Sequence, residues 1–533
     1  MGGRVRGAAI ALSVMLAAGP AVAQDLSQAP SGQYVRRWLD AMNDPDPAAL
    51  VKVDPRAFPM RAESGGLDLV AVEQATDAQV VAVVRERISG RYMRATWSFG
   101  PDGALTNWRG AAMAPPPGAP AVGRLDDKAL GAFISDYMTK TDFSGAVVVA
   151  RDGKPVFTAA RGLADREAGT PNTLESRFRV GSMNKMMTAV AILQLVQAGK
   201  VKLDAPVGAY LKDYPNGDVA QKVTVWQLLT HTGGVGDIFG PKYFEKRLEV
   251  KTLKDYVALY GDRGPEFAPG TRHKYANYGF ILLGRIVEEA SGQPYADYVR
   301  DRIFRPAGMT RSGFAAEDVA VEGRTKGYTV TAEGFRSNAD SLPYSGTSAG
   351  GGYSTVGDFL AFANALTSHR LLDAAHTRLL TTRKVNGSYA FGFMDSSTDE
   401  LRVYGHGGGA PGMNGELRIV GDGQAVVVVL TNVAPPGRAS QLTSMILQRA
   451  TFRTKDGRVA ALPPVFNGRP SEPVRLAAFK ANDRNGDGRL DAPEFRAMVA
   501  SLGYAELAES MFAQRDVDKD GFVSAAEHAP PPA

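Results

Sequence analysis

The sequence predicts a multidomain chain: one large α/β unit, a small α+β module before it and an acidic module after it. Three observations predict this. Two hairpin signals, Asp152-Gly153 and Gly421-Asp422-Gly423, bracket the central stretch, so both of its ends supply strands. A stiff run, Ala114-Pro115-Pro116-Pro117-Gly118-Ala119-Pro120, separates that stretch from what precedes it. Two acidic loops of matching pattern close the chain. The length of 533 residues itself suggests three or so domains at about 100–200 residues each. An apolar share of 44% and a charged share of 22% are those of a globular protein that buries a sizeable core.

Taken in order, residues 1–23 read as an export signal. Arg4 and Arg6 form the positive start, residues 8–18 the apolar stretch, and Ala21-Val22-Ala23 the cleavage site. The expectation is a periplasmic or secreted protein cut near Ala23. No later segment is long and apolar enough to span a membrane. The chain has no cysteine, which excludes disulfides, thiolate metal sites and a lipid anchor on cysteine. Residues 24–110 form the small α+β module: Tyr34, Val35, Trp38, Leu39 and Met42 recur at helical spacing, and residues 92–99 alternate like a strand. Residues 111–124 are the Pro-rich linker, 125–455 the α/β unit, 456–470 a second linker and 471–533 the last module. From residue 471 onward there are 11 acidic and 7 basic residues, against a formal net charge of +5 for the whole chain. An acidic tail on a mildly basic body points to a cation ligand. No basic stripe interleaved with aromatics is present, which argues against nucleic acid as a partner.

Three motifs in the α/β unit carry chemistry. Ser182-Met183-Asn184-Lys185 opens a helical pattern ending at Gly199, so the Ser182 hydroxyl and the Lys185 amine project from one face. The helix N-terminus adds positive potential there. Tyr275-Ala276-Asn277 follows, with a tyrosine that titrates low enough to act as a base if a lysine is held beside it, and an amide that bonds the lysine or a substrate amide. His406-Gly407-Gly408-Gly409 then enters a strand, and the Gly409 N–H is positioned to join that of Ser182 as an oxyanion hole. Together these supply a nucleophile, a cation, a second base, an amide and a glycine-lined edge, the parts needed for acyl transfer through a covalent serine intermediate.

In order along the chain stand Phe178-Arg179-Val180-Gly181-Ser182-x-x-Lys185, Leu228-Leu229-Thr230-His231-Thr232-Gly233-Gly234, the Tyr-x-Asn run, Gly350-Gly351-Gly352-Tyr353-Ser354-Thr355 and Gly405-His406-Gly407-Gly408. This set resembles the serine β-lactamase-related family, nearest its class C branch of β-lactamases, D-Ala-D-Ala peptidases, D-amino-acid peptidases and esterases. The resemblance implies an α/β/α sandwich with a helical subdomain and a cleft between them. It makes Ser182 the acylated nucleophile, with Lys185 and Tyr275 activating it and protonating the leaving group, and Asn277 beside them. His406 stands where β-lactamases of this branch carry lysine. That departure favours a small-molecule or peptide ester or amide over a dedicated β-lactam substrate, because a neutral histidine pairs poorly with a carboxylate. His231 reads as structural, and Thr355-x-x-Asp358 as a capping box. A catalytically inactive scaffold that binds or regulates in a calcium-dependent way is the alternative.

The tail carries D-x-[DN]-x-[DN]-G-x₅-E twice. Asp483, Asn485, Asp487, Arg489 (by its carbonyl), Asp491 and Glu494 form the first loop's donor set; Asp516, Asp518, Asp520, Phe522 (by its carbonyl), Ser524 and Glu527 form the second's. Alternating oxygen donors with a closing glutamate suit Ca²⁺. The pattern resembles an all-α EF-hand pair, with Leu490 and Val523 placed to share a short β-bridge. His528-Ala529-Pro530 follows Glu527 at once, so the second hand is expected to lack most of its exit helix. No cofactor is expected for catalysis.

Overall fold

The computed structural model describes residues 26, 29–113, 115–116, 118–119, 123–331, 333–385, 388–398, 400–454, 456–460, 479, 482–501, 512 and 520–524. The expected export signal, most of the second linker, and Asp516, Asp518 and Glu527 lie outside the described residues.

A six-stranded sheet forms the middle of the α/β unit. Its strands run in the order Met394–Asp395, Val403–Ala410, Met413–Val420, Ala425–Thr431, Gly145–Arg151 and Lys154–Arg161. Every neighbouring pair is antiparallel. The two ends of the unit meet inside the sheet, where Val428 pairs with Val148 and Leu430 with Ala146. The hairpin expected at Asp152-Gly153 is present. Its turn residues have φ of 46° and 78°, the two positive values that a two-residue type I′ turn requires.

Residues 425–431 are buried along the whole strand, because both faces of the sheet are covered. On one face Val147, Val149, Val427 and Val429 meet Leu130 and Ile134 of the helix Asp127–Lys140 and Leu442 and Ile446 of the helix Arg438–Arg449. On the other, Val148, Val426, Val428 and Leu430 meet Met183, Met186 and Val190 around the helix Asn184–Gln197, and Phe359 and Phe362 of the helix Val356–Thr367. The result is three layers, helix on sheet on helix. Each valine fully buried in this way contributes roughly 1.5–3 kcal/mol. The second helical layer extends into Val225–Leu229, Leu253–Tyr260 and Asn277–Ser291, all inserted between the two halves of the sheet. Thr355 caps its helix by accepting the Asp358 N–H at 3.0 Å. The Asp358 carboxylate does not return the bond; it accepts from Arg311 N at 2.8 Å and Ser312 Oγ at 2.6 Å, so the cap is one-sided.

Residues 30–112 hold a separate core. The helix Pro30–Asn43 lies on a four-stranded antiparallel sheet, with Trp38 and Trp97 fully buried between them. This module meets the large unit through Arg438, which donates to the Glu63 carbonyl at 2.7 Å and to that of Ala62. At the tail, Arg489–Asp491 and Phe522–Ser524 pair antiparallel with Leu490 opposite Val523, and Phe479, Phe495 and Met498 pack against them.

Candidate active site

Ser182 sits in a tight turn, Gly181–Met183, at the head of the helix Asn184–Gln197. That helix is buried on nearly every side, which removes water from Lys185, one turn along. The Lys185 Nζ lies 3.2 Å from Ser182 Oγ, 2.7 Å from Asn277 Oδ1 and 2.6 Å from the Ala349 carbonyl oxygen. Burial lowers its pKa to about 7, against the opposing pull of the Asp237 carboxylate. A neutral amine has two N–H groups and one lone pair. Asn277 Oδ1 and Ala349 O are acceptors and take the two N–H groups, so the lone pair is left for the Ser182 hydroxyl proton.

Asn277 is held in that orientation from behind. Its Nδ2 donates to both carboxylate oxygens of Asp237 at 3.0 Å, which fixes Oδ1 toward the lysine. Tyr275 lies with its ring 4.8 Å from Lys185 Nζ, and its phenol is close enough to Ser182 to feel it electrostatically. The expectation that the lysine would make this tyrosine a base does not hold. Although the residue is 37% exposed, burial around the phenol raises its pKa. Lys185, lowered to about 7, is the group that titrates near neutrality; Tyr275 is a neutral hydroxyl.

His231 supports this arrangement. It adopts φ 56° and its Nδ1 accepts the Ala276 N–H at 3.1 Å. Its ring lies against that of Tyr275 with centroids 4.2 Å apart. It is placed as structural support for the Tyr275-Ala276-Asn277 segment, in keeping with its reading from sequence.

The strand Val403–Ala410 forms the opposite wall. A Cβ on Gly408 would lie 2.0 Å from the Val180 carbonyl oxygen and 3.1 Å from Ser182 N; one on Gly181 would lie 3.1 Å from Gly409 N. Only glycine at 408 lets the strand approach the nucleophile turn this closely. The backbone N–H groups of Ser182 and Gly409 are thereby brought to one seam. No hydrogen bond joins His406 to Ser182. Its Nδ1 is bonded to the Gly407 carbonyl, which only accepts, so Nδ1 carries the proton; its Nε2 then accepts from the Tyr389 hydroxyl at 3.1 Å. Burial holds its pKa down at about 3, with Lys185 adding to the effect. The ring is neutral and both nitrogens are committed.

Sequence reasoning brought forward Ser182, Lys185, Tyr275, Asn277, His406 and Gly409, and the fold gathers them. It missed Asp237, Tyr389 and the Ala349 carbonyl. Asp237 stands three residues beyond the Gly233-Gly234 run, and that proximity was the only available signal.

In the first tail loop, Asp483 accepts from the N–H groups of Gly486 and Gly488 at 2.8 and 3.0 Å, and Glu494 from those of Arg484 and Asp491 at 2.9 and 3.2 Å. Asn485 Nδ2 lies 3.1 Å from Asp487 Oδ2. Arg489 reaches Asp520 of the second loop at 3.4 Å, and Phe522 and Ser524 lie in the ladder. Among the described residues no three acidic or histidine side chains converge as a ready-made metal cage. The donors themselves, carboxylate and amide oxygens at alternating positions around Gly488, fit a hard cation by their chemistry.

A serine–lysine pair at a helix head, faced by a glycine-edged strand of an antiparallel sheet, defines a class of proteins: those with a β-lactamase/transpeptidase-like α/β fold. Residues 130–450 match the Beta-lactamase family, and the chain belongs to it. Penicillin-binding protein 4 of Amycolatopsis lactamdurans is 30% identical over 54% of this chain and 80% of its own length. Esterase EstB of Burkholderia gladioli is 35% identical over 36% of this chain and 52% of its own. The crystal structure of a penicillin binding protein from Bacillus halodurans superposes with a TM-score of 0.54 at 32% identity, covering 59% of this chain and 99% of that one. Residues 476–499 match the EF hand family.

Proposed function

We propose that the protein is an exported serine hydrolase of the class C type that cleaves an ester or amide through an acyl-enzyme on Ser182. The observation that carries this reading is the buried Lys185 amine. Its lone pair is left for Ser182 Oγ at 3.2 Å, and its pKa of about 7 suits a base working near neutrality. Lys185 takes the Ser182 proton as Oγ bonds to the substrate carbonyl carbon. The carbonyl oxygen, now an oxyanion, is met by the N–H groups of Ser182 and Gly409. The carbon–heteroatom bond then breaks, and the departing alkoxide or amine takes a proton delivered through Tyr275 from the Lys185 ammonium. Water attacks the acyl-enzyme by the reverse relay and releases the acid.

The neutral, fully engaged His406 supports substrates without a carboxylate at that wall, which favours esters and neutral amides over β-lactams. In this reading residues 1–23 direct export and are removed near Ala23, and residues 24–110, 125–455 and 471–533 are the three units. The tail binds Ca²⁺ through the donors of both loops, supported by the match to the EF hand family. Hydrolysis of p-nitrophenyl butyrate by purified protein, beside Ser182→Ala, tests the central claim. Turnover is expected in the wild type and loss to background in the variant; equal turnover by both would refute the assignment of Ser182.

A further inference from the structure

The strand Met413–Val420, next to the glycine-edged wall, carries a polar chain that the groups around Lys185 do not use. Side chains alternate along a strand. Leu417 and Ile419 turn to the layer that holds Met183, and Val420 turns to the layer that holds Leu442 of the helix Arg438–Arg449. Asn414, Glu416 and Arg418 share the parity of Val420. They therefore lie behind the wall, on the face away from the nucleophile helix.

Each hydrogen bond in this chain has one possible direction. Asn414 Oδ1 accepts the Ser440 N–H at 3.1 Å, and a backbone N–H only donates, so the orientation of the amide is fixed. Asn414 Nδ2 then gives one hydrogen to the Gly408 carbonyl oxygen and the other to Ser440 Oγ, each at 3.3 Å. The Ser440 hydroxyl donates in turn to Glu416 Oε2 at 3.1 Å, and the Glu416 carboxylate is paired with Arg418 at 2.6 Å. Glu416 and Arg418 are both buried, so the chain is anchored on an ion pair shielded from water.

The other end of the chain is a peptide of the seam beside Ser182. The Gly408 carbonyl and the Gly409 N–H belong to one peptide unit, and in a trans peptide they point in opposite directions. A donor that holds the carbonyl from behind aims the N–H forward, toward the seam it shares with Ser182 N. Gly407, Gly408 and Gly409 have no side chains to restrict that unit. The strand Met394–Asp395 pairs with Tyr404 and Gly405, short of them. The ladder to Met413–Val420 sets the register, with Gly408 opposite Gly415 and Gly409 opposite Asn414; the Asn414 amide adds a hold on the tilt of the peptide.

We propose that Asn414 is a positioning residue for the oxyanion hole: it locks the Gly408–Gly409 peptide from behind, so that the Gly409 N–H is presented to the developing oxyanion. It touches no reacting atom and acts through Gly409. The proposal rests on the acyl-transfer reading above.

The test compares p-nitrophenyl butyrate with its thiono analogue, in which sulfur replaces the carbonyl oxygen. Both are followed on the full chain in the wild type, Asn414→Ala, Ser440→Ala and the double variant. A sulfur anion is larger and accepts N–H bonds less well, so it gains less from the hole. For the oxo ester, kcat in Asn414→Ala is expected to fall about 10–100-fold with KM little changed, and for the thiono ester to fall much less. Ser440→Ala should show a smaller fall with the same preference. The double variant should lose no more than Asn414→Ala alone, because Ser440 acts by holding Asn414. An equal loss on both esters, or no loss, overturns the proposal. Should circular dichroism show Asn414→Ala unfolded, Ser440→Ala decides by the same comparison: a selective loss on the oxo ester supports the lock, and an equal loss or none overturns it. Failure of the acyl-transfer reading shows separately, as ester turnover that survives Ser182→Ala.

Discussion

At Lys185 two effects oppose each other. Burial strips water from the ammonium and favours the neutral amine, while the Asp237 carboxylate favours the cation; burial wins and leaves the pKa at about 7. A base must be unprotonated to act, so kcat/KM for a neutral ester should rise with pH through a limb centred near 7. Asp237→Asn removes the charge that holds the proton on, so the limb should move to lower pH. A limb that stays in place, measured on the same ester, would mean that Asp237 does not influence the base. His231 and His406 give a second pH effect. Burial keeps both neutral when folded, His231 well below 6.5 and His406 down at about 3. In the unfolded chain they take protons below about 6.5, so the unfolded state binds more protons there and stability falls as pH drops through that window. The melting temperature should therefore decline from pH 7 to pH 5, and His406→Gln should reduce the decline. The residue scale is also where the sequence was least legible. The Ser182–Lys185 spacing puts the two groups on one face of a helix, but it does not reveal that the helix is buried all round. Proximity of lysine to Tyr275 suggested an acidic phenol; burial, which spacing cannot report, moves it the other way. Asp237 reaches Asn277 across 40 positions of sequence, and no local pattern signals that bond.

At the scale of elements, the nucleophile turn and the strand Val403–Ala410 depend on close backbone contact. A methyl group at Gly408 meets the Val180 carbonyl at 2.0 Å, so Gly408→Ala must push the strand outward and withdraw the Gly409 N–H from the seam. Loss of one oxyanion donor typically costs about 10²–10³-fold in kcat. We expect a drop of that order with KM little changed and far-UV circular dichroism intact; a KM effect alone would place the glycine in binding rather than chemistry. Elements were the most legible scale. The Asp152-Gly153 hairpin, the helix head at Ser182 and the Leu490–Val523 pairing follow from local chemistry that tertiary packing does not override. The one-sided cap at Thr355 is the exception, because Arg311 and Ser312, 40 or more positions away, draw the Asp358 carboxylate to themselves.

At the scale of the whole molecule, two attachments set how the units respond. Arg438 is 7% exposed and donates to the carbonyls of Ala62 and Glu63. Arg438→Ala leaves the Ala62 carbonyl without this donor at a cost of about 1–3 kcal/mol, while the Glu63 carbonyl keeps the Gln441 side-chain amide at 3.1 Å. The helix Pro30–Asn43 should then exchange its amide hydrogens faster while ester hydrolysis continues; unchanged exchange would show that the module holds itself in place by other contacts. The tail should answer to calcium. Adding Ca²⁺ should raise the temperature at which residues 482–501 unfold, and Asp483→Ala should cancel that rise, read by calorimetry with and without chelator. The absence of a rise in the wild type would count against the donor set.

The pairing of Gly145–Arg151 with Ala425–Thr431 joins positions almost 300 residues apart at the middle of one sheet. Contacts so distant in sequence form slowly, because a long loop must close before they reward it. A ribosome that has released only the first hairpin, the nucleophile helix and the Tyr275 segment has delivered most of the catalytic side chains, yet the strand that binds the hairpin's open edge is still to come. In the acyl-transfer reading, catalytic competence therefore arrives late in synthesis and all at once, and a chain that stops short of residue 425 is left with an unpaired valine-rich edge, the kind of surface that recruits other chains.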